Sequence, residues 1–370
     1  MAILYLDHAA SSQPKPAWVR QAVAEHLGSV QTNPMRSATE TNELESLREK
    51  LRQFFALNAE QSLVFCANST MAANLFILSL AEEQPSLQIY CDSYSHNCVL
   101  RPAHRVSAGK EKILNHGELD QIGSGPFLLC LTLASNVTGE IFTKLPWGEL
   151  EKLCVTQNGW LLLDAAQFAG NAELPEMSSQ LKKRTAIFTS GHKYLLGPES
   201  SGLLILPADF KGPAVISGGT GSDSQNPLMP AELPYRFEAG TYNLTALAGL
   251  AAAIDHVSYE DFLQKRRALN TGLQQYLEAL DNFTIVTAEQ KHNTGITLLT
   301  HRNLPPSELA YILYENYKII TRAGLFCAPH AMQKLPGDFA AGGVRISFGY
   351  DHDENDLDQL CSALKELDAF

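Results

Sequence analysis

The sequence predicts an α/β protein of two domains, a large one on a mostly parallel mixed sheet and a smaller α+β one. Three observations carry this. The chain has 370 residues, above the roughly 250–300 at which a single hydrophobic core usually divides. From about residue 40 to residue 256, amphipathic helical stretches alternate with short apolar runs, as a mostly parallel sheet with crossover helices requires. Near Val257 the pattern changes to one long helix followed by α+β punctuation. The expected division is residues 1–14 as an N-terminal segment packing near the active site and the small domain, 15–256 as the large domain and 257–370 as the small one.

In chain order, Leu44, Leu47, Leu51, Phe54 and Phe55 recur at helical spacing. Ser62–Cys66, Leu87–Cys91, Phe127–Leu131, Trp160–Leu163, Ala186–Thr189 and Gly202–Leu206 read as strands, several ending in polar residues. Ligands of open α/β sheets sit at the carboxyl ends of strands, so chemistry is expected at those endings. Ser258-Tyr-Glu-Asp261 starts a helix with acidic residues in its first turn. Phe262, Leu263, Leu269, Leu273, Tyr276, Leu277 and Leu280 form its apolar stripe. Strands follow near Phe283–Thr287, Gly295–Thr300, Lys318–Thr321 and Val344–Phe348, then a terminal helix on Leu357, Leu360, Leu364 and Leu367.

Apolar residues make up 45% of the chain and charged ones 18%, with a formal net charge of −12. No Lys/Arg run offsets that charge, which argues against nucleic acid or an anionic membrane as partner. The opening Met1-Ala-Ile-Leu-Tyr-Leu-Asp7 lacks a basic n-region and an apolar h-region. The apolar runs also fall short of the ~18 residues of a membrane span, so a cytoplasmic location is expected. Seven scattered cysteines without CxxC spacing argue against a disulfide framework and against a zinc site, and no metal is expected.

An aspartate and a lysine each close an apolar strand-like run: Asp164 after Gly159-Trp-Leu-Leu-Leu, and Lys193 after Thr185-Ala-Ile-Phe-Thr-Ser-Gly-His192. Pyridoxal phosphate needs this pair, an amine for its aldehyde and a carboxylate facing its ring nitrogen. Alone, Asp164 reads as a strand-end cap and Lys193 as a loop lysine. Ser190 and His192 flank the lysine with hydroxyl and imidazole, and Leu195-Leu196 roofs it.

Other candidates have ordinary readings beside their functional ones. Gln167 is a donor to the cofactor's phenolate oxygen or a polar helix-start residue. Ser69 and Thr70 open an apolar helix and suit a phosphate, or simply cap it. His96, just past a strand, is a stacking and proton-shuttling imidazole or a satisfied polar residue. Arg345 shares a strand face with Ser347, opposite Val344, Ile346 and Phe348. Its fork suits an amino-acid carboxylate, and a solvated strand face is the alternative. Cys327, bracketed by Gly324 and Pro329, belongs on a loop, where Arg322 and His330 favour a thiolate. Otherwise it is a semi-buried structural cysteine.

Taken together, the chain resembles the class V aminotransferase family of fold-type I pyridoxal-phosphate enzymes, and within it the cysteine desulfurases of the Suf-type and related group II members. The resemblance runs through Tyr5-Leu-Asp-His-Ala-Ala10, Asn33-Pro-Met-Arg36, Asn68-Ser-Thr70, Ser95–Pro102, Ala134–Gly139 and Asp164-Ala-Ala-Gln167. It is strongest at Ser190-Gly-His-Lys193, Gly218-Gly-Thr-Gly-Ser222 and Arg236-Phe-Glu-Ala-Gly-Thr241, with Arg322-Ala-Gly and Cys327-Ala-Pro329 after them. It implies a homodimer with active sites near the subunit interface, and a pyridoxal 5'-phosphate cofactor. Lys193 matches the Schiff-base lysine, Asp164 the ring-nitrogen partner and His96 the stacking histidine. Ser69, Thr70, Ser190 and His192 match phosphate ligands, and Thr241 the phosphate contact supplied by the neighbouring subunit. Asn136 and Gln167 match contacts on the phenolate side, and Arg345 the substrate-carboxylate arginine. Cys327 matches the persulfide cysteine that hands sulfur to an acceptor, possible acceptors including a protein.

The sequence departs from the family pattern at Phe326, where relatives often carry histidine, and at His330, His8 and Tyr242. The leading expectation is conversion of L-cysteine to L-alanine with sulfur passed to Cys327. A selenocysteine lyase, a cystine C–S lyase or an aminotransferase on the same scaffold is the alternative. A non-catalytic scaffold does not require the Asp164, His96 and Lys193 set. A Rossmann dehydrogenase lacks its Gly-x-Gly-x-x-Gly here.

Overall fold

Seven strands form the central sheet of the computed structural model, which describes residues 2–29, 43–221 and 225–370. The Asn33–Arg36 motif and Ser222 lie outside the described residues. Across the sheet the strands run Gln61–Cys66, Gly202–Pro207, Thr185–Ser190, Trp160–Asp164, Phe127–Thr132, Gln88–Asp92 and Lys112–Leu114. Gly202–Pro207 is antiparallel to both of its neighbours, and the other pairings are parallel.

Both faces of this sheet are covered, which is why its strands read as continuous apolar runs rather than alternating ones. Leu129, Leu131, Leu161, Leu163 and Ile187 join one core. Their neighbours Leu128, Cys130, Leu162, Ala186 and Phe188 join the other. The parallel register brings Thr132, Asp164 and Phe188 level across three strands, so the polar endings meet at one edge.

A four-stranded antiparallel sheet, ordered Arg322–Gly324, Gly343–Ser347, Ile296–His301 and Phe283–Val286, follows in the C-terminal part. Helices Tyr259–Leu277 and Glu354–Leu367 share an apolar core with it through Leu269, Leu273, Leu299, Ile346, Leu360 and Leu364. The Ser258 side chain caps the first helix by accepting from the Asp261 amide.

Three short strands carry no sequence signal. Leu4–Tyr5 pairs in parallel with Ile319–Ile320, more than three hundred residues away. Lys112–Leu114 and Arg322–Gly324 are three residues each, too short to show a period. The predicted Lys318–Thr321 strand is observed as Ile319–Ile320 in the two-stranded sheet, and Arg322–Gly324, which follows it, joins the four-stranded one. No helix among the described residues is long and apolar enough to cross a membrane.

Candidate active site

A cavity of about 260 Å³ opens at the carboxyl ends of the parallel strands. It is lined by Ser69, Thr70, His96, Asn136, Asp164, Gln167, Ser190, His192, Lys193, Cys327 and Arg345, so eleven of the twelve sequence-predicted site residues come together. Thr241 does not. It is exposed and lines a different cavity, with Glu238 and Tyr242.

Asp164 ends the central strand with its carboxylate accepting from the Ala166 amide at 2.9 Å. Burial pushes its carboxyl up to about 6, against the pull of that amide and of Lys193. Burial lowers the Lys193 amine, while Asp164 and Cys98 work to raise it. The pair is thus a carboxyl and an amine brought toward each other by one dry environment. Lys193 is placed by Gly191, where a Cβ would meet Ser201 Oγ at 2.3 Å. Only glycine lets the backbone pass so close to Ser201 there.

His96 caps helix Asn97–Ser107, its Nδ1 accepting from the Cys98 amide at 3.0 Å. That bond leaves the neutral ring's proton on Nε2. Burial, then the charges of Lys193 and Arg345, hold His96 down to about 4. The loop before it is pinned to the sheet by Asp92, which accepts from the Tyr94 amide, Ser95 Oγ and the Thr132 amide, and pairs with His116 at 2.8 Å.

The Arg345 strand is buried along its whole length, and Arg345 is 3% exposed, so a solvated strand face is ruled out. Its guanidinium donates to Asp7 Oδ1 at 2.6 Å and to the Asn136 carbonyl at 2.8 Å, and lies over the Phe326 ring. Ser347 on the same face donates to the Leu6 carbonyl and accepts from the Ala9 amide.

Cys327 is the one exposed cysteine of the seven. It follows Phe326 on a turn where both residues take left-handed backbone, φ 57° and 53°, an arrangement that costs of order 1 kcal/mol or more per residue. The Phe326 carbonyl accepts from Asn136 Nδ2 at 2.8 Å, and the Cys327 carbonyl from the Asn97 amide at 2.7 Å. Phe326 itself anchors the turn in an apolar cluster with Val137, Leu298, Met332 and Phe339. A histidine there would have to bury an imidazole among hydrocarbon.

The other departures are structural. His330 lies in the short helix Pro329–Lys334. His8 is fully buried, edge-on to Tyr5 and His352. Tyr242 donates to Glu238, which also pairs with Arg48.

The donor set fits pyridoxal phosphate. Ser69 Oγ, Ser190 Oγ and His192 Nδ1 are buried without hydrogen-bond partners among the described residues, and helix Ser69–Glu83 opens beside them. Orphaned donors at a helix amino terminus suit a phosphate. Gln167 Oε1 is likewise unpartnered, its amide nitrogen donating to the Ala9 carbonyl at 2.7 Å. Burial, with the charges of Lys193 and Lys15, holds His192 down to about 4.

Sequence reasoning gave no role to Asp7, although it lies within the opening motif, nor to Lys15, which donates to the His192 carbonyl at 3.0 Å. Asp7 and Arg345 are 338 positions apart, and no spacing announces such a pair.

Residues 4–360 match the family model described as Aminotransferase class-V. A probable cysteine desulfurase of Methanothermobacter thermautotrophicus is 27% identical, covering 98% of this chain and 94% of that relative. Another, from Pyrococcus abyssi, is 28% identical over 99% of this chain and 94% of its own length. The apo structure of a cysteine desulfurase from Thermococcus onnurineus NA1 superposes with a TM-score of 0.83 at 26% identity, covering 99% of this chain and 94% of that one. The Escherichia coli cysteine desulfurase CsdA shares the fold, with a TM-score of 0.80 at 23% identity over 98% of this chain and 94% of that one. A match over nearly the whole length, on the fold-type I architecture, places the chain in its family: it belongs to the class-V aminotransferases.

Proposed function

We propose that this chain is a pyridoxal-phosphate-dependent cysteine desulfurase, converting L-cysteine to L-alanine and leaving the sulfur as a persulfide on Cys327. The observation that carries this reading is the placement of the single exposed thiol, Cys327, on a tethered turn at the rim of the cavity that holds Lys193 and Asp164.

Ser69, Thr70, Ser190 and His192 would hold the phosphate, Asp164 the ring nitrogen and Lys193 the aldehyde carbon. When bound, the cofactor supplies an electron sink for charge developing at the substrate Cα. Arg345 takes the substrate carboxylate in its two-pronged donor geometry, exchanging Asp7 for it. Lys193, whose amine is lowered by burial, accepts and returns the Cα proton. His96 stays neutral, with a donor at Nε2 and no positive charge to compete with Arg345. The Cys327 thiolate attacks the substrate sulfur, and the C–S electron pair leaves with the carbon skeleton. Cysteine plus a thiol gives alanine plus a persulfide, so atoms and electrons balance without an added oxidant.

Thr241 serves the phosphate of a second copy of the chain in a homodimer, which accounts for its absence from its own cavity. A cytoplasmic location suits a chain whose cysteines are free thiols.

Intact-mass analysis after brief exposure to L-cysteine tests the reading. A gain of one sulfur on Cys327, abolished in Cys327→Ala together with alanine release, supports it. Unchanged alanine production by that variant removes the persulfide step. Pyruvate with ammonia, or turnover only of selenocysteine, cystine or an amino-acid/keto-acid pair, moves the chain to another reaction of its family.

A further inference from the structure

Cys327 lines two cavities. The second, of about 350 Å³, adjoins the active site through Thr70, His96 and Cys98, which line both, and is walled by Asn74, Arg101 and Arg105. Among the described residues no carboxylate lines it.

Arg101 and Arg105 stand four positions apart on helix Asn97–Ser107, so they share a face. Two like charges at that spacing repel and destabilise the helix. Both are exposed, and neither is in an ion pair among the described residues. Their neighbour His104, by contrast, meets Glu111 at 2.9 Å. Arg105 lies in the last turn, where the helix dipole favours a cation; Arg101, a turn earlier, has no such reason. Arg101 is near enough to His96 to lower it. In a chain of net charge −12, two uncompensated guanidinium groups beside the one exposed thiol form a local anion trap.

We propose that sulfur is loaded on Cys327 from the first cavity and leaves through the second, which selects an acceptor thiol of negative charge through Arg101 and Arg105. This rests on the desulfurase reading. The acceptor thiolate attacks the outer sulfur of the Cys327 persulfide, the S–S bond breaks and its electron pair returns to Cys327 Sγ. The acceptor departs as its own persulfide, and no external oxidant or reductant is needed.

The test uses holoenzyme, wild type and Arg101→Glu/Arg105→Glu, with Arg101→Gln/Arg105→Gln as the milder pair. Enzyme loaded with L-cysteine and freed of excess is mixed with 2-mercaptoethanesulfonate, 2-mercaptoethanol or cysteamine at equal thiolate concentration. Loss of sulfur from Cys327 is followed by intact mass. In parallel, unloaded enzyme is alkylated with iodoacetate or iodoacetamide. Wild type should discharge to the sulfonate thiol, and react with iodoacetate, roughly tenfold faster relative to the neutral reagent than the glutamate variant does, with the gap shrinking in high salt. Loading by L-cysteine should be unchanged in both variants. Equal charge preference in wild type and variants overturns the proposal, whether or not Cys327 is loaded. Intact anion preference in alkylation with no loading removes the desulfurase reading and leaves the anion site standing.

Discussion

The Arg345 guanidinium, which lines the cavity, and the Asp7 carboxylate meet at 2.6 Å in an ion pair between the first and last parts of the chain. Asp7 occupies the guanidinium much as a carboxylate ligand would, and on the desulfurase reading substrate binding would exchange one carboxylate for another. Arg345→Ala should raise KM for L-cysteine roughly 100-fold, the loss expected for charge-assisted hydrogen bonds. It should also leave Asp7 buried without a partner, costing about 3 kcal/mol in urea unfolding. Arg345→Ala/Asp7→Ala should recover most of that stability but none of the KM. Equal stability of Arg345→Ala and the double variant would show that the unpaired Asp7 carries no burial penalty.

Thr241 lies away from its own cavity, and the homodimer reading therefore makes a complementation prediction. Lys193→Ala and Thr241→Glu should each be nearly inactive alone, the second because a carboxylate would face the phosphate. Co-expressed, they should form hybrid dimers in which one site draws an intact lysine and an intact threonine from different chains. Activity well above either parent is the expected result, and none is expected if Thr241 acts within its own chain.

Gly191 has Ser201 Oγ and the Ser201 carbonyl where a side chain would go, at 2.3 and 2.9 Å from a Cβ. Gly191→Ala should push His192 and Lys193 out of register with Asp164. Cofactor retention, read as the visible absorbance surviving gel filtration, should fall at least tenfold. The global fold, read by far-ultraviolet circular dichroism, should persist.

The buried titratable groups set a pH dependence for the cofactor-free protein. His96 and His192 are held at about 4, against 6.5 when unfolded, so the unfolded chain takes up two protons there that the fold does not. Asp164 is held at about 6 against 3.8, so between those values the fold carries one proton that the unfolded chain lacks. The unfolded state binds the larger number, and stability therefore falls as pH drops from about 6.5 toward 4. Asp164→Asn removes the opposing proton, and its stability should fall more steeply over the same range. Urea unfolding at pH 4.5, 5.5 and 6.5 measures both slopes. A shallower slope in the variant would reverse the assignment.

Much of this was legible in the residues. The apolar runs ending in Asp164 and Ser190 announced strands, because a sheet covered on both faces needs hydrocarbon at every position. Their endings announced chemistry, because the carboxyl edge of a parallel sheet is where backbone and side-chain polar groups face a cleft. Gly324 and Pro329 announced a loop around Cys327, and that thiol is indeed exposed while the other six are buried. The linear order of residues thus determined which groups exist and which local element carries each, since periodicity, caps and breakers act over a few neighbours.

Only the folded chain decided what those groups meet. Asp7 pairs with Arg345, Asn136 ties down Phe326, and the carbonyl of Cys327 is fixed by the loop of His96, all across separations that leave no mark in sequence. The shifted acidities of Asp164, Lys193 and His96 are likewise tertiary facts. They arise from lost water and from charges brought close by packing, and neither quantity is defined until the chain has closed on itself.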